Sequence, residues 1–227
     1  MTNNDLDIIR SLAERYAEIA ADPVQDERRR LWSRLNSLRP ERPVILLRKL
    51  AFYELPEAQC QTEDPSWHAY EYGLRKALFV HELDDQVQEP WITVQAVKKT
   101  QRGGFWGVPT GWQGQKDSYH AGRIDPPIKT PDDLDKLRMP SHEIDAEATA
   151  RRADRLRDAV GDILPVHVNR GPINGLFGSI TMPLGYLLGI EGLFWWMMDY
   201  PDALHRLSAF LRDGTLKCQR EAEEAGH

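Results

Sequence analysis

The sequence predicts an α/β fold built on a parallel sheet. Short apolar runs with strand composition alternate with long segments of helical periodicity. Their order along the chain is that of repeated strand–helix units. Three strand candidates are also too few to cover the apolar helices that accompany them, so the chain reads as the first part of a larger barrel.

Two helices open the chain. Asp5 to Ala21 places Leu6, Ile9, Leu12, Ala13, Tyr16 and Ile19 close to helical period. Asp22 then serves as an N-cap with Pro23 at the first helical position. The next stripe is Leu31, Trp32, Leu35 and Leu38, stopped by Pro40, with Arg28, Arg29 and Arg30 on its solvated side. Residues 1–40 are thus expected to form a helical extension, and residues 41–227 the barrel portion.

Pro43 to Leu47 is apolar and bounded by prolines, the pattern of a fully buried strand. A helix capped by Ser66 follows, with Trp67, Tyr70, Leu74, Ala77, Leu78 and His81 facing the core; His81 reads as a packed or hydrogen-bonded core histidine rather than a catalytic base. The second strand candidate is Pro90 to Val97. Gln101 to Asp117 is a glycine-rich loop carrying Phe105, Trp106 and Trp112, rings that either stack on a flat ligand or pack the loop down.

Thr130-Pro131-Asp132-Asp133 is a helix start, with carboxylates facing the positive end of the dipole. A charged surface helix is expected from Asp145 to Val160, preceded by His142 and Glu143 as a solvated pair. Ile163 to Val168 is the third strand, ending in the turn Asn169-Arg170-Gly171-Pro172. Thr181 to Met198 is apolar, but Pro183, Glu191 and its glycines fit a buried helix pair broken near Gly189 better than a membrane span. The last helix follows Pro201, with Leu204, Leu207, Leu211, Thr215, Cys218, Ala222 and Ala225 at spacings of three or four.

Composition excludes several classes. The 227 residues are 41% hydrophobic and 28% charged, as in a globular chain. A net charge of -6 argues against a nucleic-acid partner. The first residues lack a signal-peptide pattern, and the 2 cysteines, Cys60 and Cys218, fit a reducing cytoplasm. Neither a P-loop, a Rossmann glycine fingerprint, a zinc-binding His-Glu-x-x-His nor a Gly-x-Ser-x-Gly elbow occurs. Asp84-Asp85 closes a helix before a strand, either holding a carboxylate at the mouth of a sheet or forming an ordinary polar turn.

Three stretches carry a family resemblance. Pro43 to Glu57 tracks the pattern P-V-x-x-M-R-Q-A-G-R-Y-x-P-E with one extra residue; Asp85 and Pro90 fit D-x-x-x-x-P. Gly171-Pro172, then Met197 to Asp202, then Glu224-Ala225-Gly226 follow the order G-P, M-x-x-x-P-E/D, E-A-G. Together they resemble the N-terminal portion of the uroporphyrinogen decarboxylase superfamily, a (β/α)8 barrel group that includes the corrinoid-linked methyltransferases. Such a barrel takes about 250 residues, so the resemblance implies an incomplete (β/α)8 barrel whose active site collects at the C-terminal strand ends.

The resemblance also implies roles. Asp85 stands where the decarboxylases stabilise a protonated pyrrole intermediate. Arg48 matches the first of two arginines that grip substrate carboxylates. Phe52 replaces the second, and no tyrosine occurs between Ile173 and Ile180. Tyr53, Arg170, Gly171, Trp106 and Trp112 complete the expected substrate-binding set. The departures favour corrinoid-linked methyl transfer, with porphyrinogen decarboxylation second and a non-catalytic binding or scaffold piece third. The expected partner is a tetrapyrrole-like small molecule or a corrinoid protein. No cofactor is assigned to these residues; in the methyltransferases zinc is held by the barrel's C-terminal half. Open strand edges invite association, including a homodimer.

Overall fold

The computed structural model describes residues 3–47, 51–99, 104–109, 111–113, 123–172 and 179–227. It is a mixed, mainly helical fold with a small parallel sheet. The chain divides into two compact units, Met1–Val94 with Ala150–Val168 and Gln95–Thr149 with Asn169–His227.

In the first unit, α1 (Asn3–Ala20) presents Ile9, Leu12, Ala13, Tyr16 and Ala20 to a shared core. Its first turn is fixed by buried Asp5, which accepts the Glu63 N–H at 2.7 Å. The second helix, α2 (Val24–Asn36), begins where Asp22 Oδ1 accepts the Val24 N–H at 2.8 Å, so the expected acidic cap operates. Arg28 departs from the expected solvated face. It is buried, and its guanidinium donates to the carbonyls of His81 at 2.6 Å and Gln86 at 3.2 Å. Those carbonyls lie beyond a helix C-terminus, where a cation is favoured.

The next helix, α3 (Pro65–Val80), is capped by Asp64 rather than Ser66: Asp64 Oδ1 accepts the Ser66 N–H at 2.9 Å, and Pro65 takes the first helical position. Trp67 and Leu74 join the α1 face in the core, together with Val94, Leu156, Ala159, Val160 and Leu164. Glu71 is also fully buried, accepting the N–H groups of Gln61 (2.7 Å) and Thr62 (2.9 Å), the Thr62 hydroxyl (2.8 Å) and Arg75 Nε (2.8 Å). Each oxygen is therefore satisfied, which is what allows a carboxylate inside.

The predicted strand at Pro43–Leu47 is not formed. That stretch belongs to no sheet, and Ile45, Leu46 and Leu47 are exposed. Its backbone bonds instead to the Asp84-Asp85 turn, leaving its apolar side chains uncovered. The second and third strand predictions hold with shorter bounds, as β1 (Ile92–Gln95) and, further on, Val166–Asn169.

The loop holding Phe105 and Trp106 contains structure the sequence reading missed. β2 (Gly111–Gln113) pairs antiparallel with β3 (Arg123–Asp125), Trp112 opposite Ile124. Thr130 to Asp133 opens a 3-10 helix, Pro131–Lys136, in which Asp133 Oδ2 accepts the N–H groups of Lys129 (2.8 Å) and Thr130 (2.9 Å). Lys136, with those donors, holds the Asp133 carboxyl well below its ordinary range. Helix α4 (Ala146–Val160) lies at the surface as expected, with one face buried through Ala153, Leu156 and Ala159.

The strand β4 (Val166–Asn169) pairs with β1. Ile92 N–H donates to the Pro165 carbonyl and Ala96 N–H to that of Asn169, each at 2.9 Å, so both strands advance in the same direction.

The second unit is built on two helices. In α5 (Thr181–Asp199) Gly189 adopts φ 71° and breaks the helix where the sequence predicted. The expected burial is only partial: Leu187, Leu188 and Trp196 are buried, whereas Ile190 (74%), Phe194 (63%), Trp195 (61%) and Met198 (80%) are exposed. The last helix, α6 (Pro201–Glu224), buries Leu204, Leu207, Leu211, Cys218 and Ala222 of the predicted stripe, while Thr215 is half-buried and Ala225 exposed. Gly214 permits this packing, since a Cβ there would lie 2.6 Å from Trp106 Cζ3. No helix among the described residues is long and apolar enough to cross a membrane.

Candidate functional site

Asp85 closes the segment after α3 and grips the chain ahead of it. Its carboxylate takes both Arg42 guanidinium nitrogens, at 2.7 and 2.8 Å, and the Ile45 N–H at 2.9 Å. Its own N–H donates to the Ile45 carbonyl at 2.8 Å, and its carbonyl accepts Trp32 Nε1 at 2.7 Å. Arg42, in opposition to the effect of burial, pulls the carboxyl down to about 2. Asp84 acts alongside, accepting the Leu47 N–H at 3.1 Å and the Gln86 N–H at 3.0 Å. This is an acidic latch whose acceptors are occupied by its own chain.

The other predicted residues of the first unit follow suit. Phe52, in the place of the family's second arginine, is buried against the rings of Tyr72 (centroids 5.3 Å apart) and Phe79 (5.1 Å). Tyr53 is half-buried in the short 3-10 turn Phe52–Glu54. Arg48 lies outside the described residues.

The second unit holds the C-terminal edges of both parallel strands, the edge at which α/β folds collect ligands. After β1, the segment 97–99 is bound to 143–145. The Asp145 N–H donates to the Val97 carbonyl at 2.9 Å, Val97 N–H to Thr149 Oγ1 at 2.9 Å, and Lys99 N–H to the Glu143 carbonyl at 3.0 Å. This pairing fixes Lys98 on one side and His142 on the other. Lys98 Nζ donates to the carbonyls of Arg170, at 2.9 Å, and Gly171. Gly171 N–H in turn donates to Asn169 Oδ1 at 2.9 Å, the side-chain turn that an asparagine at a strand end can make. Asn169 Nδ2 then bonds Gln95 Oε1 at 3.0 Å and ties the two edges together.

The electrostatics of this edge are cationic. Burial pushes the Lys98 ammonium below its ordinary value. Burial, then Lys98 and His227, push His142 down as well. His142 is not the solvated residue expected: its N–H donates to Glu221 Oε2 at 2.8 Å, its Nε2 lies 2.9 Å from His227 Nδ1, and its buried Nδ1 has no partner among the described residues. Arg170 is exposed, and neither it nor Lys98 meets a carboxylate among the described residues. Two cations flanking a strand edge are suited to an anionic group of a ligand.

Of the predicted aromatics, Trp106 packs its loop down. It is 7% exposed, with centroids 4.9 Å from Phe105 and 5.9 Å from Phe210, so its faces are taken by the core. The side chain of Trp112 lies outside the described residues. Among the described residues no three His, Cys, Asp or Glu side chains converge as a metal site.

Fold and edge together define a mixed α/β protein with an anion-suited strand end. Comparisons with family models, with curated proteins and with solved structures return no match. The resemblance to the uroporphyrinogen decarboxylase superfamily therefore rests on the residues quoted for it.

Proposed function

We propose that the chain is the front portion of a (β/α)8 barrel enzyme of the uroporphyrinogen decarboxylase superfamily, of the corrinoid-linked methyltransferase kind. The observation that carries this reading is the parallel β1–β4 pair with Lys98 and Arg170 at its C-terminal edge. The exposed apolar side of α5 supports the same reading, since the outer helices of a barrel bury such faces against neighbours. Methyl transfer is favoured over decarboxylation by Asp85 and Phe52. A carboxylate bonded to Arg42 and a ring buried under Tyr72 are not placed to serve a porphyrinogen. Decarboxylation stays as the second reading because the cationic edge suits substrate carboxylates.

Titration of the protein with methylcobalamin and, separately, with uroporphyrin, followed by the ligands' visible absorption, tests this. A saturable change with methylcobalamin is expected, weakened by Arg170→Ala. Saturation with uroporphyrin alone moves the assignment to the decarboxylase. Binding of neither contradicts both.

A further inference from the structure

Helix α5 leaves a row of large apolar side chains bare. Met182, Tyr186, Ile190, Phe194 and Met198 follow one another at intervals of four residues, and each is between 41% and 80% exposed. Side chains at that interval form one ridge of a helix. Gly189 breaks the helix beside Ile190, yet the row stays at the surface on both sides of the break. The residues that α5 buries are others: Leu187, Leu188 and Trp196 pack with Leu204, Leu207 and Leu211 of α6 in the core of their own unit. The row takes no part in that core.

Three properties of the row say what covers it. The first is area. Trp195 and Met197, exposed beside the row, bring the bare large side chains of α5 to seven. At about 200 Å² of surface for a large side chain, their exposures leave roughly 800 Å² uncovered. A monomer rarely carries a continuous apolar patch of that size, and it is about what one partner gives to a stable interface.

The second property is order. The row reads the same in both directions from Ile190: first an aromatic ring on either side, Tyr186 and Phe194, then a methionine on either side, Met182 and Met198. Two copies laid antiparallel across a two-fold axis at Ile190 therefore set ring against ring and methionine against methionine. That is the self-complementarity an isologous contact needs. Beside the row runs a groove of about 630 Å³, walled by Ile124, Pro126, Ile128, Leu188 and Gly192, in which side chains of a second ridge can seat.

The third property is charge. No member of the row is charged. Glu191, the single charged residue from Thr181 to Met198, is exposed and keeps its water at the rim of such a contact.

We propose that α5 is a self-association face, pairing antiparallel with α5 of a second copy of the chain about a two-fold axis at Ile190. The pairing does not use the Lys98 and Arg170 edge, so a failure to bind methylcobalamin leaves it standing.

Sedimentation of the full chain at about 50 μM should give a dimer, as an interface of this area supports. Ile190→Glu and Phe194→Glu alter exposed side chains, so each should keep the parent's circular dichroism and sediment as a monomer. Leu216→Glu, at an exposed position of α6, should leave the dimer intact. A short bismaleimide reads the register in a Cys60→Ser background, Cys218 being buried. Ile190→Cys should cross-link to itself. Met182→Cys should cross-link only when mixed with Met198→Cys, because its two copies would lie roughly 24 Å apart along the helices. A monomeric parent chain overturns the proposal and assigns the row to a neighbouring element of a larger barrel. A dimer that survives both glutamate variants, or that Leu216→Glu disrupts equally, overturns it too. If a glutamate variant loses its fold, the cross-links carry the test: a self-cross-link by Met182→Cys, or none by Ile190→Cys, contradicts the pairing.

Discussion

The acidic turn at Asp84-Asp85, which holds the stretch 43–47, and the cationic edge at Lys98 and Arg170, beside the ends of β1 and β4, are both polar clusters, yet they are used differently. The turn's carboxylates accept from Arg42, Ile45, Leu47 and Gln86, so their charge is consumed in holding one stretch of chain to another. At the edge, among the described residues, Lys98 donates to backbone carbonyls and neither it nor Arg170 meets a carboxylate. A charge answered within its own unit has a structural task. A charge left unanswered beside a strand end is free for a ligand. That difference is why the aspartate singled out from sequence is the weaker functional candidate, and the lysine it overlooked the stronger one.

The comparison can be broken from its structural side first. Glu71 is the extreme case of a consumed carboxylate, and Glu71→Ala strands Arg75 and the N–H groups of Gln61 and Thr62. A loss of about 3 kcal/mol is expected in urea unfolding. Asp85→Asn comes next, at about 1–2 kcal/mol, a value reduced because Arg42 is largely solvent-accessible. The pH dependence has a definite sign. Asp85 is depressed from 3.8 to about 2 in the folded state, so its stabilisation is full above pH 4 and is lost as pH falls towards 2. The wild type and Asp85→Asn should therefore converge in stability over that window. A constant difference across it would show that the Arg42 pair is not the source.

Smaller effects sharpen the same contrast. Gly73→Ala should raise stability by about 0.5–1 kcal/mol, because the helix gains and nothing is displaced. A fall in Tm would show that the space beside Gly73 is less open than described. Arg170→Ala should change stability by less than about 0.5 kcal/mol, as expected for an exposed side chain away from structural bonds. A larger loss in thermal unfolding would place Arg170 among the consumed charges.

Much of the fold was legible where local rules decide the outcome. The α6 stripe from Leu204 to Ala222 is largely buried as its period demands, and Asp22, Thr130 and Gly189 punctuate helices by their own backbone chemistry. Local pattern failed where the outcome depends on distant partners. Residues 43–47 have strand composition, but a strand needs a neighbour, and here Ile45 and Leu47 are bonded by the Asp84-Asp85 turn instead. His142 looked solvated because its partners, Glu221 and His227, are about eighty residues away. Lys98 drew no notice in the sequence, and the fold shows the Arg170 and Gly171 carbonyls that hold it. Glu71 did leave a signal: it falls between Trp67 and Leu74 on the buried face of α3, where an unpaired carboxylate would not survive.

The most direct test of the cationic edge is the methylcobalamin affinity of the Lys98→Met, Arg170→Ala double variant, with Asp85→Asn as the companion. The account predicts that the double variant loses roughly tenfold or more in affinity while Asp85→Asn binds as the parent chain does. Unchanged affinity in the double variant, or loss of binding in Asp85→Asn above pH 5 with the fold intact, would contradict it.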